Sequence, residues 1–225
     1  MKLIEYTDSE IMWLDLANTI AGNLNRGLMG HDRVSLVVPG GTTPGPLFDV
    51  LSALSLAWER VDVLLTDERW VPEDNLRSHA RLLREHLLVD KAAAANFIPF
   101  YTGGDASRID LADVSAKVRG LSPFTIVLLG MGYDMRTASL FPGGDTLARA
   151  LAPDAPEVIA INAPGAEVTR VTLSAEIINA AMNKHLVIVG NDKLDTLRQA
   201  EAIGDPMKAP VAAVMDNLTV HWAKS

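Results

Sequence analysis

Five short runs of Val, Ile and Leu punctuate the chain, and almost every position in them is apolar. They are VSLVV at 34–38, VDVLLT at 61–66, FTIVLLG at 124–130, EVIAIN at 157–162 and HLVIVG at 185–190. Runs without polar alternation are typical of strands that are covered on both faces. They predict a parallel sheet with helices on each side. The alternating LTVHWA at 218–223 predicts an edge strand.

The stretches between these runs have helical spacing. After Asp8, apolar residues recur at intervals of three and four as far as Leu28, which predicts a long first helix. Thr43 is predicted to cap a helix that begins at Pro44, and further helices are predicted at 78–88 and 191–203. Alternating strands and helices predict an α/β fold: one doubly wound domain over residues 1–225, with a mainly parallel central sheet flanked by helices.

Composition and charge narrow the function. The 225 residues are 48% hydrophobic and 21% charged, as in folded globular proteins. A formal net charge of −8 argues against nucleic-acid binding, so an anionic small substrate needs a local basic pocket. The chain has no cysteine, and it shows neither a signal peptide nor an apolar run of membrane-spanning length. We therefore expect a cytoplasmic protein without membrane partners, as a monomer or small homo-oligomer.

The segment Gly40-Gly41-Thr42-Thr43 has the features of a phosphate-binding loop. It follows the strand predicted at 34–38 and precedes a predicted helix, and ligands of doubly wound sheets bind where such loops converge. Backbone N–H groups, two hydroxyls and the positive end of a helix dipole suit a phosphate. Because the Gly-Lys-Ser/Thr of a nucleotide-binding P-loop is missing, an ordinary glycine turn with a Thr cap is the alternative.

Charged residues follow other predicted strands. Asp67, Glu68 and Arg69 come directly after the run at 61–66, where Asp67 could act as a general base or orient water and Arg69 could pair with an anion. The alternative is a solvated loop held by an Asp–Arg ion pair. Arg170 and Lys193 lie near predicted strand ends and could add positive charge for a phosphate, although each alone also fits a surface cation.

The stretch LLGMGYDMRTASLFPGG, at 128–144, combines glycines with charged residues. Its glycines leave room for a ligand, but Met135 breaks the GxGxxG dinucleotide fingerprint. Asp134 could orient a neighbouring group, and Arg136 could hold charge, although a guanidinium cannot shuttle protons near neutral pH. The five His residues lack metal-binding spacing and the carboxylates form no EF-hand loop, so no metal is expected.

Taken together and in order, these segments resemble the 6-phosphogluconolactonases. The resemblance runs from about Val34 to the C-terminal tail, and it is carried by PGGTTPGPLFDVL, TDERWVPEDN, LLGMGYDMRTASLFPGG, TRVTLS and GNDK. DERWVP and TASLFPG are closer to this family than to the glucosamine-6-phosphate deaminases, which share its general fold. The resemblance implies hydrolysis of 6-phospho-D-glucono-1,5-lactone to 6-phospho-D-gluconate, the second step of the oxidative pentose phosphate pathway, without a cofactor.

The same resemblance implies roles for individual residues. Gly41, Thr42, Thr43, Arg170 and Lys193 would hold the phosphate, and Asp67 and Arg69 would line the reaction centre.

The family's usual third motif is similar to GMGEDGHTASLFPG, whose His is assigned as the general base. In this chain Tyr133, Met135 and Arg136 replace the Glu, the Gly and that His, while the family's usual Ser-Asn in the second segment appears as Ser78-His79.

Three hypotheses follow from this departure. In the first, Asp67 or Asp134 orients the attacking water and Arg136 stabilises the oxyanion of an active lactonase. In the second, His79 takes over as the base, the alternative being that His79 is a helix-surface residue. In the third, the protein is a catalytically weakened or inactive homologue that binds a sugar phosphate.

Overall fold

The computed structural model describes residues 1–225 and contains ten strands. These are β1 (Lys2–Tyr6), β2 (Val34–Val38), β3 (Val61–Leu65), β4 (Asp67–Arg69), β5 (Asn96–Ile98), β6 (Ile126–Leu129), β7 (Val158–Ile161), β8 (Arg170–Leu173), β9 (Lys184–Val189) and β10 (Leu218–Ala223). Seven form one sheet in the order β1-β10-β9-β6-β2-β3-β5, and every neighbouring pair is parallel. The predicted α/β class with a mainly parallel central sheet is therefore confirmed.

Seven α-helices accompany the sheet. They are α1 (Ser9–Leu28), α2 (Gly45–Ser52), α3 (His79–His86), α4 (Ala112–Leu121), α5 (Leu147–Ala150), α6 (Ala175–Asn179) and α7 (Asn191–Ile203). Short 3₁₀ helices span Trp58–Arg60, Asp90–Ala94, Ala106–Arg108 and Pro210–Val214. The helices predicted from Asp8 and at 191–203 are confirmed, as is the one at 78–88 in its first two turns. None of the helices has the length and apolarity needed to cross a membrane.

The prediction that Thr43 caps the second helix is wrong. This helix begins at Gly45, its capping residue is Pro44, and no side chain caps it. The backbone N–H of Gly45 instead donates to the carbonyl of Thr42 at 3.3 Å. A backbone turn thus closes the helix end, and the Thr43 side chain stays exposed.

Two strand predictions also need correction. The run at 157–162 forms β7, which pairs antiparallel with β8 in a separate sheet of order β4-β8-β7 rather than in the central sheet. The run at 218–223 forms β10, which is an interior strand because β1 pairs along its outer side from Lys2–Thr219 to Tyr6–Ala223. The segment KLIEY of β1 is mostly exposed and polar-interrupted, so its sequence lacks the apolar signal of the other strands.

Two apolar cores lie on opposite faces of the central sheet. In β2, Leu36 and Val38 pack into one core and Val37 into the other, and all five positions of β2 and of β3 are buried. From β2 the chain continues to β3 on one side, while β6 and β9 lie on the other. Such a switch point creates a crevice beyond the carboxyl ends of the strands, and the predicted site segments follow these strands.

Candidate active site

A cavity of about 690 Å³ opens at this switch point. Its lining includes all of the predicted site residues: Gly40, Gly41, Thr42, Thr43, Asp67, Arg69, His79, Asp134, Arg136, Arg170 and Lys193. Parallel strands with aligned carboxyl ends explain how segments far apart in the chain converge here. The individual roles of these residues stay predictions.

The glycine-threonine loop requires glycine at two positions. Gly41 has φ +92°, a left-handed conformation that a side chain disfavours. A Cβ on Gly40 would lie 2.0 Å from Cδ2 of His79, so any larger residue would displace the imidazole. The loop leads directly into α2, whose first N–H groups and dipole make this end positive. The arrangement suits an anion.

Asp67 is a buried carboxylate held by hydroxyl groups. Its Oδ2 accepts a hydrogen bond from Ser139 Oγ at 2.5 Å, and its Oδ1 accepts one from Thr66 Oγ1 at 3.0 Å. Burial acts to raise the pKa of Asp67, but His79, Ser139, Arg170 and Arg69 outweigh burial and hold that pKa below its usual value. The group therefore stays ionised and is a weak base, suited to holding charge and orientation.

Glu68 has a structural role that the sequence did not reveal. Its side chain accepts hydrogen bonds from the backbone N–H groups of Arg69, His79 and Ala80 and from the hydroxyl of Ser78, at 2.7–3.1 Å. It thereby ties β4 to the start of α3. No local pattern signals the link to α3, because Ser78, His79 and Ala80 lie ten to twelve residues further along the chain.

Arg69 forms no ion pair with Asp67. Its Nη1 donates to the carbonyl of Arg77 at 3.0 Å, and Asp67 is only 4% exposed. The alternative of a solvated loop held by an Asp–Arg pair is therefore wrong.

His79 occupies the first turn of α3 and is buried, so the helix-surface alternative is also wrong. Its Nδ1 lies 2.9 Å from the backbone carbonyl of Asp67. A carbonyl can only accept a hydrogen bond, so Nδ1 carries the proton and the lone pair of the neutral ring lies on Nε2. The ring lines the cavity, and Nε2 is thus the nitrogen that can accept a proton there.

The turn after β6 presents Arg136. Both oxygens of Asp134 accept from Arg136 Nη1, at 3.1 and 3.0 Å, and Met135 between them has φ +62°. The backbone N–H of Gly132 donates to the Arg136 carbonyl at 2.9 Å and closes the turn. The guanidinium lies 5.1 Å from the centre of the Phe141 ring. The hydrogen bonds from Arg136 to Asp134 therefore fix the orientation of the guanidinium.

Arg170 and Lys193 complete a cationic lining. Arg170 Nη1 lies 3.9 Å from Asp67 Oδ2, while Lys193 Nζ donates to the carbonyl of Met131 at 2.7 Å and lies 3.7 Å from the Tyr133 ring centre. Burial, followed by neighbouring arginines, lowers the pKa of both side chains. The cavity is accordingly a positive environment in which an anion lowers electrostatic repulsion.

Several residues that contact the site carry no functional signal in the sequence. Ser139 and Phe141 lie within the TASLFPG motif, and Thr66 ends a predicted strand, but their contacts with Asp67, Arg136 and Arg170 depend on the folded structure. Across the chain, no three His, Cys, Asp or Glu side chains are grouped so that they could hold a metal ion.

The chain is similar in sequence to known 6-phosphogluconolactonases. Residues 7–222 match the family described as glucosamine-6-phosphate isomerases/6-phosphogluconolactonase. Proteins named 6-phosphogluconolactonase from Rhizobium meliloti and Pseudomonas aeruginosa are each 39% identical to this chain, over 92% of it and over 92% and 88% of their own lengths.

Solved structures agree at the level of fold. A crystal structure of a 6-phosphogluconolactonase from Shewanella baltica superposes with a TM-score of 0.91 at 34% identity, covering 99% of this chain and 97% of that one. A monomeric glucosamine-6-phosphate deaminase, 16% identical, shares the fold with a TM-score of 0.82, covering 100% of this chain and 98% of that one. On the strength of the family match and these relatives, the chain belongs to the glucosamine-6-phosphate isomerase/6-phosphogluconolactonase family.

Proposed function

We propose that this protein hydrolyses 6-phospho-D-glucono-1,5-lactone to 6-phospho-D-gluconate. The observation that carries the proposal is a single cavity that combines the anion-binding loop at 40–43 with Asp67 and an imidazole whose Nε2 is free to accept a proton. The relatives named 6-phosphogluconolactonase support the substrate class. The reaction needs no cofactor, and a cytoplasmic location remains our expectation.

The phosphate is held at the positive end of the cavity. The loop at 40–43 offers backbone N–H groups and two hydroxyls, and the first turn of α2 adds its dipole. Lys193 lies in the first turn of α7 and lines the same cavity. Arg170 lies beside Asp67 and contributes a further positive charge. Anchoring the phosphate places the lactone carbonyl within the remaining cavity.

Hydrolysis then needs a base and a site for negative charge. We assign the base to His79: water attacks C1 while its proton moves to Nε2, and the carbonyl oxygen becomes an oxyanion. Arg136 stabilises that oxyanion. The C1–O5 bond then breaks and O5 takes the proton from Nε2, which leaves a carboxylic acid at C1. This acid releases its proton to the solvent, so the product leaves as a carboxylate. Asp67 is the poorer base because hydroxyl groups engage both of its oxygens.

The test is hydrolysis of freshly prepared lactone, corrected for the spontaneous rate. We expect turnover by the native protein, and a kcat lower by about 10²- to 10⁴-fold in His79→Gln because a general base is lost. His86→Gln is the matched control, since His86 lies on the same helix, has a side chain that is 43% exposed, and pairs with Asp49. An unchanged kcat in His79→Gln would refute the assignment of the base.

The Arg136→His variant tests the binding-only alternative in the same assay. Native protein at the background rate, combined with a strong gain in this variant, would overturn the proposed activity and support a sugar-phosphate binding protein. A fast native protein whose variant is no faster would place Arg136 in a working site.

A further inference from the structure

The cavity carries more positive charge than its phosphate-binding end accounts for. Four cationic side chains and two carboxylates line it: Arg69, Arg136, Arg170, Lys193, Asp67 and Asp134. The excess of two positive charges matches one phosphate dianion before the positive ends of α2 and α7 are added. A neutral residue at position 136 would leave an excess of one. With about half a positive charge from each of these two helix ends, about one positive charge remains beyond a phosphate dianion, and this is the charge that Arg136 adds. The site therefore has capacity for a second anionic group.

Two of the cationic side chains contact the same aromatic ring. The guanidinium carbons of Arg136 and Arg170 lie 5.1 and 5.2 Å from the centre of the Phe141 ring. Both guanidiniums thus contact the same ring, and repulsion from Arg136 contributes, after burial, to the lowered pKa of Arg69, Arg170 and Lys193. An anion placed between these side chains relieves the repulsion.

The same guanidiniums have unused hydrogen-bond donors. Asp134 engages only Nη1 of Arg136, which leaves Nε and Nη2, the edge that can grip a carboxylate with two parallel bonds. Nε of Arg170 is buried without a hydrogen-bond partner in the protein. A buried donor without a partner destabilises the protein. A ligand acceptor that bonds to this N–H therefore gains more binding free energy than it would from a donor at the surface.

The position of Arg136 within the site suits the end of a sugar phosphate that lies opposite its phosphate group. Arg136, Arg170 and Asp134 line the main cavity and also a neighbouring cavity of about 340 Å³. The loop at 40–43 lines only the first of these two cavities. Arg136 thus stands at the border of the site, where the end of the ligand opposite its phosphate can reach.

We propose that Arg136 binds the C1 carboxylate of the ring-opened product, so that the site distinguishes phosphorylated aldonates from phosphosugars with an uncharged C1. This inference rests on the proposed function, because hydrolysis converts a neutral ester carbonyl into a carboxylate at C1. The consequence is an enzyme that its own product inhibits, since the product makes one ion pair that the lactone cannot make. Arg136 is therefore a specificity-determining residue.

The experiment compares two ligands that differ only at C1. Calorimetry measures the dissociation constants of 6-phosphogluconate and of sorbitol 6-phosphate, which has a hydroxymethyl group in place of the carboxylate. We expect native protein to prefer 6-phosphogluconate by about tenfold or more, the value of a charge-assisted pair. Arg136→Gln should abolish most of that preference while retaining sorbitol 6-phosphate binding, which also reports that the variant is folded. Arg26→Gln, an exposed arginine outside both cavities, is the matched control.

Two results would overturn the inference. Equal losses for both ligands in Arg136→Gln would mean that Arg136 serves the phosphate, and an unchanged preference would mean that it binds neither end. The proposed function is tested separately by lactone turnover. If there is no turnover above the spontaneous rate, the proposed function fails, but the ratio of the two dissociation constants can still be measured and still tests the role of Arg136. Product inhibition offers a kinetic readout, because Ki for 6-phosphogluconate should rise in Arg136→Gln and stay unchanged in Arg26→Gln.

Discussion

A buried pair of histidines should make the protein sensitive to acid. Tyr6 donates to Asp15 Oδ2 at 2.6 Å, so its oxygen accepts from Nδ1–H of His221 at 2.9 Å. Nε2 of His221 then accepts from Nδ1–H of His185 at 3.0 Å. Nε2 of His185 is buried without a partner. Each ring nitrogen in this series of hydrogen bonds therefore has a fixed role. A further proton on Nε2 of His221 would point at the N–H of His185, and one on Nε2 of His185 would have no acceptor.

The expected loss of stability follows from the shifted pKa values. Burial lowers the pKa of His185 from 6.5 to about 4, and burial together with His185 and Lys2, opposed by Asp15, does the same for His221. Because the native pKa lies below the unfolded one, the unfolded chain takes up protons first. Stability is therefore complete above about pH 6.5 and falls as the pH drops toward 4, by about 3 kcal/mol for each histidine.

Urea denaturation at intervals between about pH 7 and pH 5 measures this loss. The range stops at about pH 5 because carboxylates with a lowered pKa change the stability mainly below that pH. The free energy of unfolding should approach a slope of about 2.7 kcal/mol per pH unit at the acidic end, where the unfolded chain carries both protons. His185→Gln removes one titrating group and should roughly halve that slope, whereas His31→Gln, an exposed control, should not change it. An unchanged slope in His185→Gln would refute this reasoning.

Three substitutions test other contacts of the site. Gly40→Ala places a Cβ 2.0 Å from His79 and should lower kcat at least about tenfold by displacing the base, while Gly30→Ala, with no atom within 4 Å, should not. Glu68→Gln weakens the bonds that hold α3 and should lower the free energy of unfolding by about 2 kcal/mol or more in urea denaturation. Asp67→Asn should lower kcat about 100-fold with the fold retained by circular dichroism, and a smaller effect would deny its charge a role.

Much of the architecture was predictable from local patterns. The mainly apolar strands β2, β3 and β9 are buried along almost their whole length, and this is why their sequences lack a regular polar alternation. Asp8 caps α1 through a bond from Ile11 N, a contact between residues three apart. Such features depend on neighbours in the chain.

The failures arose where distant contacts decide. β7 has the composition of a central strand, yet it pairs antiparallel with β8 in the separate sheet of order β4-β8-β7. β10 was predicted as an edge strand, and only the pairing of β1 makes it interior. A hydrophobic segment is predicted to be buried, but its hydrophobicity does not indicate which strand it pairs with.

The sequence by itself determined the fold class, the family resemblance and the charged, glycine and threonine residues of the cavity lining, because short motifs placed after strands converge wherever parallel strands end together. Only the tertiary structure decided how deeply these residues are buried, which hydrogen bonds they form and which charges they approach. It buried His79 and fixed its tautomer through the Asp67 carbonyl. It made Glu68 the hydrogen-bond acceptor that holds the start of α3, and it brought both Arg136 and Arg170 to the Phe141 ring. Burial, hydrogen-bond direction and charge proximity are properties of three-dimensional neighbours, which a linear pattern does not specify.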